Sequence, residues 1–117
     1  MIDHVRPAQL DQWFATDADE ARPLVLDVRE PWELQTASVQ PAPGAGGFDV
    51  AAIPMGEIPA RFGELDADRP IACLCHHGMR SQRVAAFLAQ QGFRRLANIT
   101  GGIDAWSHER DASVARY

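Results

Sequence analysis

Short apolar runs, each bordered by proline or glycine, recur along this chain and leave few folds open to it. Leu24 to Val28 follows Pro23, Val50 to Ile53 precedes Pro54, Ile71 to Cys75 follows Pro70, and Leu96 to Thr100 ends at Gly101. Runs this short that contain Val and Ile read as strands, the first and third of them buried in a sheet. Between them the apolar spacing turns helical. Leu10, Trp13 and Phe14 share a face in residues 6–16, with Pro7 suited to an early helical position. A short helix is expected over 30–35 with Pro31 in its first turn, and another within 54–64 carrying Ile58 and Phe62. A longer helix over 81–91 aligns Val84, Phe87 and Leu88, with Gly92 as a left-handed terminator, and a last one begins at 103–106 before a polar tail. Strands alternating with helices predict an α/β fold, a central parallel sheet flanked by helices on both faces, with ligands bound beyond the C-terminal ends of the strands. Cys75 lies at such an end.

Composition narrows the function classes. A chain of 117 residues with 46% hydrophobic content suits a single domain over 1–117, with a core from about residue 5 to 107 and a tail over 108–117. No apolar run approaches a membrane span, and the opening residues lack the pattern of a secretory signal, so a cytoplasmic protein is expected. Net charge is −5, and the eleven basic residues, all Arg, occur in groups no larger than Arg94 and Arg95. Scattered positive charge argues against a nucleic-acid partner. The lysine-free, Ala- and Arg-rich composition fits a GC-rich, bacterial genome. Residues 37–49, with their prolines and glycines, form a loop that is long for so small a domain; it either shapes a site entrance or is an ordered, solvated connection.

The only cysteines are Cys73 and Cys75. With one residue between them they close no loop, which excludes a disulfide framework. A strand that delivers Cys75 to a short loop followed directly by a helix sets the thiol near backbone N–H groups and a positive helix dipole, and both favour a thiolate. Gly78 lets the loop curl, and Arg80 adds a fixed cation. Cys73 reads as a core cysteine, with a resolving thiol as the sharper alternative. Cys73, Cys75, His76 and His77 are too close in sequence to surround one ion tetrahedrally, so no metal is expected. His76 and His77 act either as acid–base aids or through their backbone alone.

The run Cys75, His76, His77, Gly78, Met79, Arg80 resembles the active loop of the rhodanese family: Cys, two residues, Gly, one residue, Arg. LVLDVRE at Leu24 to Glu30 and GGIDAW at Gly101 to Trp106 resemble the family's first and closing signatures, in the expected order. The resemblance implies a rhodanese-like sulfurtransferase of the thiosulfate type. Such an enzyme moves sulfane sulfur to a thiophilic acceptor, cyanide or a thiol, through a persulfide on Cys75, with no metal or organic cofactor. It implies Cys75 as nucleophile, His76, His77, Gly78 and Met79 as the cradle, Arg80 as the loop-closing cation that also orients an anionic donor, and Asp27 and Arg29 as supporting residues. The implied partners are a small-molecule sulfur donor and acceptor, or a sulfur-relay protein, and neither nucleic acid nor membrane. The alternative is a persulfide carrier or interaction module with little small-molecule turnover. Two departures stand out: His76 replaces the Arg found after the nucleophile in many members, and the Pro/Gly loop replaces a short His-Ile connection. Four residues between Cys75 and Arg80, rather than five, suit one sulfur atom better than the tetrahedral oxyanion of related phosphatases.

Overall fold

A computed structural model describes residues 2–15, 22–41 and 47–115. Five strands form one sheet: β1 (Ile2–Val5), β2 (Leu24–Asp27), β3 (Asp49–Ala52), β4 (Ile71–Leu74) and β5 (Leu96–Ile99). All pairings are parallel and the spatial order is β1-β5-β4-β2-β3. The helices are α1 (Leu10–Ala15), α2 (Pro31–Thr36), α3 (Ile58–Arg61), α4 (Met79–Gln90) and α5 (Gly102–Glu109). Short 3-10 turns at Pro7–Gln9, Met55–Glu57 and Phe62–Glu64 lead into α1 and flank α3.

Alternation along the central strands sorts their side chains onto two faces. Val25, Ala72, Leu74 and Ala97 join Leu10, Phe14, Ile103 and Trp106 in one core layer, under α1 and α5. Leu26, Ile71, Cys73 and Cys75 join Ile58, Val84 and Leu88 in the other, under α3 and α4. β2, β4 and β5 are buried throughout, as strands covered on both faces must be.

The expected α/β sheet with helices on both faces is therefore what the chain forms, with differences in detail. β1 was not expected, because Asp3 and His4 break its apolar pattern; it is an edge strand that pairs only with β5, and both polar residues are exposed. Cys75 lies one residue past β4 rather than within it, and α4 starts at Met79, two residues early. The Pro/Gly segment is not simply a solvated loop: Ala37, Val39 and Phe48 are buried in the core beneath α5, while residues 42–46 of it lie outside the described residues. At the C-terminal side α5 runs to Glu109, and Val114 is buried, its carbonyl accepting a hydrogen bond from the Ser107 hydroxyl at 2.7 Å.

Strand order determines where a ligand can sit. From β2 the chain moves outward to β3, whereas from β4 it moves the opposite way to β5. The connections leaving the C-terminal ends of β2 and β4 thus part from each other, and a crevice opens between them. The residues that follow β4 are Cys75 to Gly78, and those that follow β2 are Val28 to Glu30.

Candidate active site

Cys75 is 1% exposed, yet it helps line a pocket of about 340 Å³ together with His76, His77, Met79, Arg80 and Arg83. Its sulfur accepts a hydrogen bond from the Gly78 N–H at 3.0 Å. That bond needs the loop to turn back on itself within three residues. Gly78 does this with φ of 108°, a left-handed conformation that costs glycine little and other residues more. The loop then runs straight into α4, whose first-turn N–H groups have no acceptor within the helix.

A second contact comes from the buried hydroxyl of Ser81, 3.3 Å from the Cys75 sulfur. The same hydroxyl donates to Oδ1 of Asn98, a buried residue of β5. A hydroxyl has one proton to give, so the sulfur and the Asn98 amide compete for it. With Cys75 as a thiol, S–H donates to Ser81 and Ser81 to Asn98; with Cys75 as a thiolate, the hydroxyl can turn to the sulfur.

The closing GGIDAW segment acts on the loop from behind. At the start of α5 the Ile103 N–H donates to the Cys75 carbonyl at 2.8 Å, and the Asp104 N–H donates to the His76 carbonyl at 3.2 Å. Because each trans peptide directs its C=O and N–H to opposite sides, anchoring these carbonyls also sets the direction of the His76 and His77 N–H groups. Such close approach is possible only with glycine at 102, where a Cβ would fall 2.3 Å from the Cys75 carbonyl oxygen and 2.4 Å from that of His76.

The charged residues form a chain of supports. Asp27 and Arg29 are 1% and 0% exposed, with Arg29 Nη2 2.7 Å from Asp27 Oδ2 and Nε 2.8 Å from Oδ1. Arg29 also donates to the carbonyls of Glu33, at 3.3 Å, and Ala37, at 2.8 Å, which fastens the C-terminal end of α2 to the end of β2. Glu33, 2% exposed, in turn receives both terminal nitrogens of Arg80, at 2.6 and 2.8 Å. Asp27 and Arg29 therefore stand behind the site and line none of its pocket. Arg80 lines the pocket, and its charge is matched by Glu33, which was not foreseen.

His76 and His77 stack with ring centroids 3.9 Å apart at the pocket wall. Trp32 is 62% exposed on α2 and does not line the pocket. Cys73 is fully buried; that burial, together with the charge of Cys75, pushes its thiol up to about 12, so at neutral pH it is protonated. Among the described residues no three His, Cys, Asp or Glu side chains gather as a metal site, and no helix is long and apolar enough to cross a membrane. Sequence reasoning missed Glu33, Ser81, Asn98 and Arg83. The first carried a signal, a Glu three residues after Glu30 with Pro31 between them, which is the spacing of a capping box.

Comparison with known proteins agrees with this arrangement. The profile of the rhodanese-like domain matches residues 9–109. A sulfurtransferase of Allochromatium vinosum is 33% identical over 107 residues, covering 92% of this chain and 90% of that protein. The thiosulfate sulfurtransferase GlpE of Pseudoalteromonas translucida is 29% identical, covering 84% of this chain and 86% of its own. Among solved structures, a rhodanese-related protein from Thermoplasma volcanium superposes with a TM-score of 0.68 at 30% identity, over 92% of this chain and 93% of the other. Matched along nearly all of its length in both sequence and backbone, this chain belongs to the rhodanese-like sulfurtransferase family.

Proposed function

We propose that this chain is a thiosulfate-type sulfurtransferase that carries sulfane sulfur on Cys75. The observation that carries the reading is the position of the Cys75 sulfur, bonded to the Gly78 N–H at the C-terminal edge of the sheet and facing a pocket. In the first half-reaction the Cys75 thiolate attacks the outer sulfur of thiosulfate. The S–S bond of the donor breaks, sulfite leaves with its electron pair, and Cys75 becomes a persulfide anion. In the second, cyanide or a thiolate attacks the terminal sulfur, the persulfide bond breaks, and the Cys75 thiolate returns. Hydrogen bonds from Gly78 and Ser81 stabilise the thiolate in both half-reactions. His76, His77 and Met79 complete the cradle, Arg80 holds it closed through Glu33, and Asp27 and Arg29 support α2. Neither half-reaction as written calls on a metal or organic cofactor. A reducing, cytoplasmic compartment of a bacterial cell suits a chemistry that begins from a free thiol.

Incubation of the reduced protein with thiosulfate, followed by intact mass, tests the reading directly. A gain of one sulfur atom that is lost in Cys75→Ser supports it, and a gain that survives the substitution, or no gain from any sulfane donor, removes it. A second reading, a persulfide carrier fed by another protein, draws support from a Bacillus subtilis protein named as a sulfur carrier that is 36% identical over 91 residues, 44% of its length. Slow turnover of thiosulfate and cyanide with retained transfer from a protein persulfide would favour that second reading.

A further inference from the structure

Arg80 and Arg83 both line the Cys75 pocket, but their electrostatic situations differ. Arg80 gives both terminal nitrogens to the Glu33 carboxylate, so the pair contributes little net charge. Arg83 stands one helical turn further along α4, three residues after Arg80 and four after Met79, and so shares their face. It is exposed, and among the described residues no carboxylate or carbonyl bonds to its guanidinium. Among the described residues the rest of the lining is Cys75, His76, His77 and Met79, without a carboxylate. In a chain of net charge −5, the described residues of this pocket, which Cys75 also lines, therefore present one uncompensated guanidinium.

We infer that Arg83 is the specificity-determining cation of the site: it draws small anionic reagents to Cys75, thiosulfate among them, and sets their preference over neutral ones. The inference rests on the proposed chemistry for its biological meaning, but the charge effect itself does not. The group is not a catalytic acid or base. It acts on the negative end of the incoming molecule, and it matters in proportion to that molecule's charge.

Two alkylating agents of the same chemistry separate these effects. The Cys75 thiolate displaces iodide from either iodoacetate, an anion, or iodoacetamide, which is neutral. The ratio of the two rate constants reads the local potential and cancels changes in thiolate content. Arg83→Gln should lower that ratio about threefold, and should lower the thiosulfate loading constant relative to iodoacetamide about tenfold, because the Coulomb free energy doubles for a dianion. It should also flatten the dependence of both anionic reactions on ionic strength, and Arg83→Lys should restore most of each effect. An unchanged ratio and salt slope in Arg83→Gln, an equal fall for charged and neutral reagents, or no recovery in Arg83→Lys would overturn the inference. If the wild-type protein alkylates with the expected charge preference yet takes no sulfur from thiosulfate, the charge effect stands, but the assignment of thiosulfate as its beneficiary is overturned.

Discussion

Glu33 and Arg80 lie 47 residues apart in sequence and meet as a two-point ion pair, with Nη1–Oε1 at 2.6 Å and Nη2–Oε2 at 2.8 Å. One side chain belongs to α2 and the other to the first turn of α4, so the pair ties the helix that follows the first signature to the loop after Cys75. The Glu33 side chain is 3% exposed and that of Arg80 is 31% exposed. Removing Arg80 would strand a carboxylate that has little water around it. We expect Arg80→Ala to cost about 2 to 3 kcal/mol, somewhat below what a fully buried pair loses when one partner is cut away. Urea unfolding of Arg80→Ala, Glu33→Gln and the double variant measures this. The double variant should be more stable than Arg80→Ala alone, and strictly additive losses would show that the two side chains do not cooperate.

The buried Cys73 thiol makes a prediction about pH. Its proton is held to about 12 in the folded protein, against 9.0 for an unperturbed thiol. From pH 9 upward the unfolded chain releases this proton while the folded chain keeps it, so stability must fall, by about 1.4 kcal/mol per pH unit at most. Below pH 9 this contribution is present in full. Cys73→Ala should show a flatter decline between pH 9 and 11 than wild type in denaturant titrations. The same burial predicts that iodoacetamide at pH 8 labels the native protein at Cys75 and leaves Cys73 intact until the protein unfolds.

Ser81 touches both the Cys75 sulfur and Asn98, and Ser81→Ala deprives both of its hydroxyl. The Cys75 sulfur loses a hydrogen-bond partner, which should slow its alkylation about tenfold, the equivalent of one hydrogen bond to a charged group. A buried Asn98 oxygen without its donor should cost about 1 to 3 kcal/mol of stability. An alkylation rate that does not change would mean that the hydroxyl serves Asn98 alone.

At position 102 even one methyl group is too much. An added Cβ would come within 2.5 Å of three backbone atoms of Cys75 and His76, and the φ of 59° is itself unfavourable for a side chain. Gly102→Ala should lower stability by about 3 kcal/mol or more, as overpacking plus backbone strain would. Because the atoms it strikes belong to the loop, alkylation of Cys75 should also slow, whereas Gly63→Ala, which meets open space, should leave alkylation unaltered.

The supports behind the site differ from the site itself. Arg29→Ala leaves Asp27 charged and enclosed, and should cost about 3 to 5 kcal/mol, whereas replacing both by Asp27→Leu and Arg29→Met should recover much of that. Thermal unfolding of the two variants decides it. Equal losses in the single and double variants would argue that Arg29 matters for its bonds to the Glu33 and Ala37 carbonyls rather than for neutralising Asp27.

What the sequence made legible follows the range of the interactions concerned. β2, β4 and β5 are continuous apolar runs because they are covered on both faces, and the Cys-to-Arg loop is a local spacing that needs no tertiary knowledge. β1 was hidden for the opposite reason: an edge strand with Asp3 and His4 exposed has no apolar period to read. The partners of the loop were hidden by distance along the chain. Glu33 reaches Arg80, Asn98 reaches Ser81, and Ile103 reaches the Cys75 carbonyl, and each contact is made by the sheet bringing remote strand ends to one edge. Arg80 illustrates the difference well. Its presence beside Cys75 could be read directly, but whether its charge was available depended on a carboxylate 47 residues away.

The hold of α5 on the loop also says something about timing. Ribosomes deliver Cys75 well before Gly102, Ile103 and Asp104, so while the chain is being made nothing can yet tie down the Cys75 and His76 carbonyls. The cysteine is present early and its surroundings are completed late. The shape of the reactive loop is thus a property that the chain acquires only after α5 has docked, and a nascent chain short of that point carries the cysteine without the site.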